Sequence, residues 1–322
     1  MQSSATSLCP SEKSLPLSAL TPHQPHPHLL RAFLFLVGAH VLFTFLDATG
    51  KALASQMGVP LVTLARHSLH ALFMLAFFAP TMGWAVFRNL TRTRRPGLQL
   101  VRGLLLAGFT FFFFTGLRYL PQAEATSINF LTPFFVMVLA GPLLGERVTW
   151  VRWVGVALGF IGMLIIVRPG NNLAPIGVFF IILTMLCNIG FQMLTRKLSA
   201  IDNSIATIFI AALVGTAASL LALPLQDMWG GWPQELSSMQ MFLLASMGVT
   251  GSLSQWCLIR AYYWSSASFI ATLVYLQIVW ATLSGWVFFG QLPDTLTFVG
   301  MGIICLTGIG VMLVERRGRV RS

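Results

Sequence analysis

The sequence predicts an all-α integral membrane protein with ten transmembrane helices arranged as two inverted five-helix repeats. Three observations lead there. Charged residues make up 9% of the chain and hydrophobic ones 56%, against about 25% charged in an ordinary soluble domain. Ten stretches stay apolar over the roughly 20 residues that a helix needs to cross about 30 Å of hydrocarbon. A shift of 145 residues lays the first five of these stretches over the last five.

Spans are expected near 30–51, 60–84, 98–119, 122–143, 149–168, 174–195, 204–224, 238–262, 267–289 and 295–314. No connection between them is long enough to fold alone, so the chain is one membrane unit. Residues 1–28 are rich in Ser, Pro and His, lack the order of a cleavable signal and read as a disordered tail. His23, His26 and His28 in that tail read as low complexity, and no metal site is expected. Residues 29–170 and 171–315 are then the two repeats, and 316–322 a basic tail. Cys9, Cys187, Cys257 and Cys305 have neither a disulfide pattern nor zinc spacing.

The net charge of +11 is placed asymmetrically. With the N-terminus inside, Lys13, Arg31, the Arg92–Arg95 cluster, Arg102, Arg152, Lys197, Arg260 and the last four arginines gather on the cytoplasmic side. Lys51, Arg118 and Arg168 stay outside, with Arg66 slightly within a span. That bias puts both termini in the cytoplasm, in a plasma membrane of bacterial inner-membrane type, and reads the basic cluster as a topology anchor with no nucleic-acid role.

Polar residues inside spans need a reason, because an ionisable group at a helix centre costs at least about 2.5–3.5 kcal/mol. His40, Thr44, Asp47 and Lys51 share one face of the first span, and Thr184, Asn188, Gln192 and Thr195 share one face of the sixth, its repeat mate. Both faces should look inward. Arg66 lies at a depth that suits a salt bridge with Asp47, and His70 follows it by one turn. With Glu124 at the start of span four, these groups fit a substrate or proton site in an outer vestibule, and equally a structural ion-pair network. Pro133 in mid-span four frees the carbonyl of Asn129, with Thr126 and Thr132 nearby, which reads either as a contact for solute or water near the midplane or as an ordinary kink that a neighbouring helix re-satisfies. Tyr275, Gln277 and Trp280 occupy the matching stretch of span nine, and with Gln255 and Trp256 they offer an aromatic, amphipathic wall. Tyr262 and Tyr263 read as interfacial anchors.

The repeat pairs Lys51 with Arg196, Gly103 with Gly248, Gly155 with Gly300, and Leu-Gly-Glu-Arg (144–147) with Phe-Gly-Gln-Leu (289–292). Each half has an odd number of spans, so the second enters the membrane in the opposite sense. Such symmetry recurs in secondary transport, where two similar halves exchange conformations to face either side.

Gly-Leu-Arg-Tyr-Leu-Pro-Gln-Ala-Glu-Ala-Thr-Ser-Ile (116–128), Leu-Thr-Pro (131–133) and Leu-Gly-Glu-Arg (144–147) resemble the drug/metabolite transporter superfamily, EamA type. Ala-Ser (267–268), Tyr275, Ile278-Val279-Trp280-Ala281 and Phe-Gly-Gln-Leu-Pro-Asp (289–294) supply the counterpart in the second repeat. The resemblance implies a ten-helix, two-repeat carrier for a small organic metabolite such as an amino acid, a nucleoside-like or S-adenosylmethionine-like compound, or a vitamin. Gln291 departs from the pattern, which keeps an acid there as at Glu146.

No Walker-type loop or His-Glu-x-x-His occurs, so the expected protein has no nucleotide, metal or other cofactor and is not an enzyme. Its partners are a small-molecule substrate, lipid, and protons or a counter-substrate, with protonation of Asp47 or Glu124 as the coupling candidate. A solute channel is the rival reading and a membrane-embedded enzyme a remote one. Substrate identity, direction of movement and oligomeric state are not written in these residues.

Overall fold

In lipid every backbone N–H and C=O needs an internal partner, and the helix is the solution this chain adopts. The computed structural model describes residues 29–82, 93–144, 150–167, 174–198, 204–233, 235–264 and 273–321. Its helices are α1 (Leu29–Gln56), α2 (Val59–Met82), α3 (Pro96–Leu117), α4 (Gln122–Asn129), α5 (Thr132–Leu144), α6 (Trp150–Val167), α7 (Pro175–Leu198), α8 (Ser204–Ala222), α9 (Ser238–Trp264), α10 (Leu276–Phe289) and α11 (Thr295–Arg321). A 3-10 turn, Leu223–Trp229, follows α8. Among the described residues there is no strand. Among the described residues six helices are long and apolar enough to cross a membrane, and Trp153–Val167, Leu276–Phe289 and Thr295–Val311 are shorter apolar ones. The protein is a multi-pass, all-helical membrane protein.

Three elements differ from the sequence expectation. Span four is two helices, not one kinked helix, because Pro133 falls in the first turn of α5, where a missing N–H costs least. α1 continues past Lys51 to Gln56, which carries the lysine into the packed bundle. α11 runs on to Arg321, through residues read as a tail. The tail at 1–28, Arg92, Gly145 to Arg147 and residues 267–268 lie outside the described residues, as do the side chains of Tyr262 and Tyr263.

Cross-chain contacts orient the helices. Arg31 at the start of α1 stacks on Trp264 at the end of α9, and Gln56 at the end of α1 accepts a hydrogen bond from Gln240 at the start of α9. Lys51 joins the end of α1 to the segments just after α3 and α10. Arg102 near the start of α3 joins the end of α7 to the start of α8. The end of the bundle where α1 starts is its proximal end, and the opposite end is distal. α7, the repeat mate of α1, therefore runs against it.

The main packing pairs are α1 with α9, α3 with α7, α6 with α11, α2 with α9, α3 with α8, and α2 with α8. Exchanging α1 with α7, α2 with α8, α3 with α9 and α6 with α11 leaves this set unchanged. Close approach depends on glycine, since two backbones meet only where no side chain intervenes. A Cβ on Gly300 would sit 2.7 Å from the carbonyl oxygen of Gly162 across the α6–α11 crossing, and one on Gly162 would sit 3.0 Å from the carbonyl oxygen of Gly300.

Burial follows the logic of a lipid solvent. Leu221, Phe242, Val287 and Leu306 project outward, whereas His40, Thr44, Lys51, Arg102, Gln122 and Glu124 are buried. Phe114, Ile128, Leu131, Phe134, Ile181 and Ile304 form one core drawn from both halves.

Candidate functional site

The polar faces of α1 and α7 turn inward and meet at a cavity of about 470 Å³. Its wall includes Asp47 of α1, Arg66, His67 and His70 of α2, Arg102 of α3, Thr126 and Asn129 of α4, Asn188 and Thr195 of α7, Gln255 of α9 and Gln277 of α10. Phe43, Phe109, Phe113, Phe130 and Phe191 supply ring surface. Both halves contribute.

Asp47 and Arg66 face this space together and their charges attract. Nη1 of Arg66 is buried without a hydrogen-bond partner, and the guanidinium lies 5.2 Å from the ring centroid of Phe114. The expected closed salt bridge is thus an electrostatic pair whose donors are only partly engaged. Oγ1 of Thr126, also on the wall, is buried with no partner. Unengaged donors on a cavity wall are groups that a ligand can satisfy.

A second polar group sits at the break between α4 and α5. Thr132 Oγ1 donates to Asn129 Oδ1 at 3.3 Å, Asn188 Nδ2 lies 3.4 Å from both of those oxygens, and Gln192 Nε2 donates to Asn188 Oδ1 at 3.2 Å. These bonds are at the long end of the range, so the cluster can re-pair with an incoming polar group at small cost. The break exists because Pro133 cannot extend α4, and it brings Asn129 to the wall.

The remaining sequence candidates divide by position. Thr44 stands behind the wall and accepts a hydrogen bond from Gln277 Nε2 at 3.2 Å. His40 is buried away from the cavity. Trp256 packs edge-on against Phe35 at 5.6 Å, and the ring of Tyr275 lies tilted against Phe130 at 5.6 Å. Neither Trp256 nor Tyr275 reaches the cavity, and neither does Trp280. Gln192 touches it through Asn188.

Lys51 and Glu124 leave the cluster expected of them. Lys51 Nζ donates to the carbonyl oxygen of Leu120 at 3.0 Å and to Gln291 Oε1 at 2.7 Å, and lies 4.8 Å from the ring centroid of Phe289. Glu124 attracts the same ammonium. Local structure delivers Gln291 to this place: Gly290 adopts φ +63 and closes α10 with bonds from Gly290 N–H to Trp286 and from Gln291 N–H to Gly285. Only glycine takes that conformation cheaply.

This distal end is interlocked. Gln122 Nε2 donates to the carbonyl oxygen of Thr44 at 3.1 Å, Ser284 Oγ donates to Gln122 Oε1 at 3.0 Å, and Arg118 Nη1 donates to the carbonyl oxygen of Trp229 at 2.7 Å. Gln226 accepts from Leu61 N–H at 3.1 Å and donates to Gly231 at 2.8 Å. The cavity instead reaches toward the proximal end, where α3 and α8 start and α7 and α9 finish.

Sequence reasoning missed Arg102, which it counted among cytoplasmic charges. The residue is buried in the cavity wall. A sequence signal existed, because Arg102 falls within the first turns of an apolar span that starts at Pro96. Gln122 and Gln226 were also missed; neither has a charge or a periodic partner to betray it.

Comparison with known proteins fits this architecture. The chain is 28% identical over 302 residues to an S-adenosylmethionine uptake transporter of Rickettsia conorii, covering 91% of this chain and 97% of that protein. It is 27% identical over 290 residues to a riboflavin transporter of Vibrio cholerae, covering 87% and 92%. It is 29% identical over 251 residues to a pseudopaline exporter of Pseudomonas aeruginosa, covering 75% and 86%. A crystal structure superposes with a TM-score of 0.61 at 18% identity, over 90% of this chain and 99% of its own, a likeness of fold alone. The EamA-like transporter family matches the chain twice, over residues 30–168 and 175–314. The family match and the transporters among the relatives indicate a transporter rather than an enzyme, and the chain belongs to the EamA-like transporter family.

Proposed function

We propose that the chain is a secondary carrier that moves a small organic metabolite by alternating access, with ten membrane spans, two oppositely inserted repeats and both termini in the cytoplasm of a bacterial inner membrane. The observation that carries this reading is the cavity, which is walled by both halves, interlocked at the distal end and extended toward the proximal end. The exchange symmetry of the packing pairs supports it, because halves that can trade arrangements provide the second, oppositely open state. With the positive-inside assignment, the arrangement described is the inward-facing one.

The solute meets charges of both signs, an amide cluster and phenyl rings. Such a wall suits amino-acid-like, S-adenosylmethionine-like or riboflavin-like compounds, and the named relatives include an S-adenosylmethionine uptake transporter and a riboflavin transporter. Asp47 holds a cationic group, and Asn129, Asn188 and Gln277 bond to polar edges. Coupling runs either through a proton taken up in the Asp47 or Glu124 region or through exchange for a second solute.

The test is counterflow in proteoliposomes loaded with unlabelled S-adenosylmethionine or riboflavin. Saturable uptake of the labelled form, accelerated by solute on the far side, is the expected result. Unsaturable flux that ignores the far side overturns the reading. Comparison of flux with and without a pH gradient then separates proton coupling from exchange.

A further inference from the structure

Arg102 is 4% exposed and sits in the cavity wall. Its Nε donates to Thr195 Oγ1 at 2.7 Å and its Nη1 to the carbonyl oxygen of Thr207 at 2.9 Å. The guanidinium carbon lies 4.4 Å from the ring centroid of Phe191. Threonine and phenyl groups brace the fork, but none carries a negative charge. Among the described residues no carboxylate pairs with it.

A buried cation without a counter-charge is costly, and polar neighbours alone recover only part of the lost hydration. The other charged groups on the wall, Asp47 and Arg66, answer each other. Among the described residues, Arg102 thus leaves the wall with one uncompensated positive charge. An arginine also offers five N–H donors in a planar fork, and among the described residues two of those donors have acceptors. The geometry that completes such a fork is a carboxylate, bound through two parallel hydrogen bonds.

Resting on the carrier reading above, we infer that Arg102 is a substrate-binding residue that takes the carboxylate of the solute, so that the transported class is carboxylate-bearing zwitterions rather than uncharged ring compounds. A monoanionic group matches the single free charge. Thr195 and Thr207 fix the fork from α7 and α8, on the second half of the chain, while Arg102 itself is on α3 of the first. A solute held there touches both halves at the proximal end.

The alternative role is a strut that ties α3 to α7 and α8. A strut is indifferent to the solute's carboxylate. The full chain in lipid nanodiscs is therefore probed with S-adenosylmethionine, with its decarboxylated form, which differs only in that group, and with riboflavin. The inference expects decarboxylation to weaken binding by about ten- to a hundredfold, the range of a charge-assisted bidentate contact. It expects Arg102→Gln to erase that difference and Arg102→Lys to restore part of it.

The ratio is read within each variant, and for the wild type it needs no variant, so loss of folded protein does not imitate the effect. Equal binding of the two forms by the wild type, or a difference that survives Arg102→Gln, overturns the inference and leaves the carrier reading intact. Binding of riboflavin without S-adenosylmethionine does the same. Binding of none of the three by the wild type overturns the proposed function, and the inference with it.

Discussion

Replacing Lys51 with Met should open the distal end of the bundle. The methionine keeps an apolar stem of similar length and removes the ammonium, so the packing survives and two hydrogen bonds do not. Those bonds are unequal in consequence. Leu120 follows α3 in the same half of the chain as Lys51, whereas Gln291 and Phe289 belong to the other half. Only contacts that differ between two states shift their equilibrium. The bond to Gln291 at 2.7 Å crosses between the halves, so it is the one that the proposed alternating-access cycle would break. A hydrogen bond to a charged group contributes about 1.5–3 kcal/mol. Gln291 is itself exposed, which favours the lower figure.

At about 1.4 kcal/mol per tenfold change, the equilibrium should move toward the distally open form by about ten- to a hundredfold. Spin labels at Gln56 and Leu292, both exposed on the distal face, report the change as a distance distribution. The wild type should give one short distance, and Lys51→Met a second, longer population. Gln291→Glu should do the reverse and narrow the distribution, since it turns the contact into an ion pair. An unchanged distribution in Lys51→Met would mean that the bond to Gln291 does not hold the distal end closed.

Three further outcomes follow from the packing and the wall. Gly300→Val should lower the melting temperature in lipid, by the loss of about 1–3 kcal/mol typical of an overpacked site, because its Cβ would meet the Gly162 carbonyl oxygen at 2.7 Å. Asp47→Asn should destabilise by about 3–5 kcal/mol, since Arg66 is left as an uncompensated buried charge. Adding Arg66→Gln should return the melting temperature without returning solute flux, whereas recovery of flux would make the pair purely structural. Gln226→Ala should cost about 1–3 kcal/mol, measured by thermal unfolding, because the buried glutamine bonds both Leu61 N–H and Gly231.

Much of the scaffold was legible because lipid imposes a simple rule of length and apolarity. The spacing of His40, Thr44, Asp47 and Lys51 placed one face of α1 inward, and in the structure His40, Thr44 and Lys51 are buried while Asp47 lines the cavity. The same period marked Asn188 and Gln192 on α7, which meet at 3.2 Å. Pro133 announced an interruption of span four but not its form, a full stop followed by a new helix. The matching turn at Val274 and Tyr275 before α10 has no proline within it and was not legible.

Arg102 shows the limit of counting charges. The positive-inside rule assigns an arginine near a helix start to water, but Thr195 and Thr207 lie within reach and draw it into the bundle. Lys51 shows another. Spacing placed it beside Asp47, and the reversal of the chain at Gly290 gave it a nearer acceptor in Gln291. Both contacts join residues far apart in sequence, where periodicity carries no information.

Alternating access requires that one cavity be reached from the two faces of the membrane in turn. A cysteine at Asn129, with the four native cysteines replaced by alanine, tests it directly in sealed vesicles exposed to an impermeant maleimide on one face at a time. The account expects labelling from either face, with S-adenosylmethionine or another bound solute slowing both reactions and Lys51→Met favouring the distal one. Labelling confined to one face under every condition would contradict it.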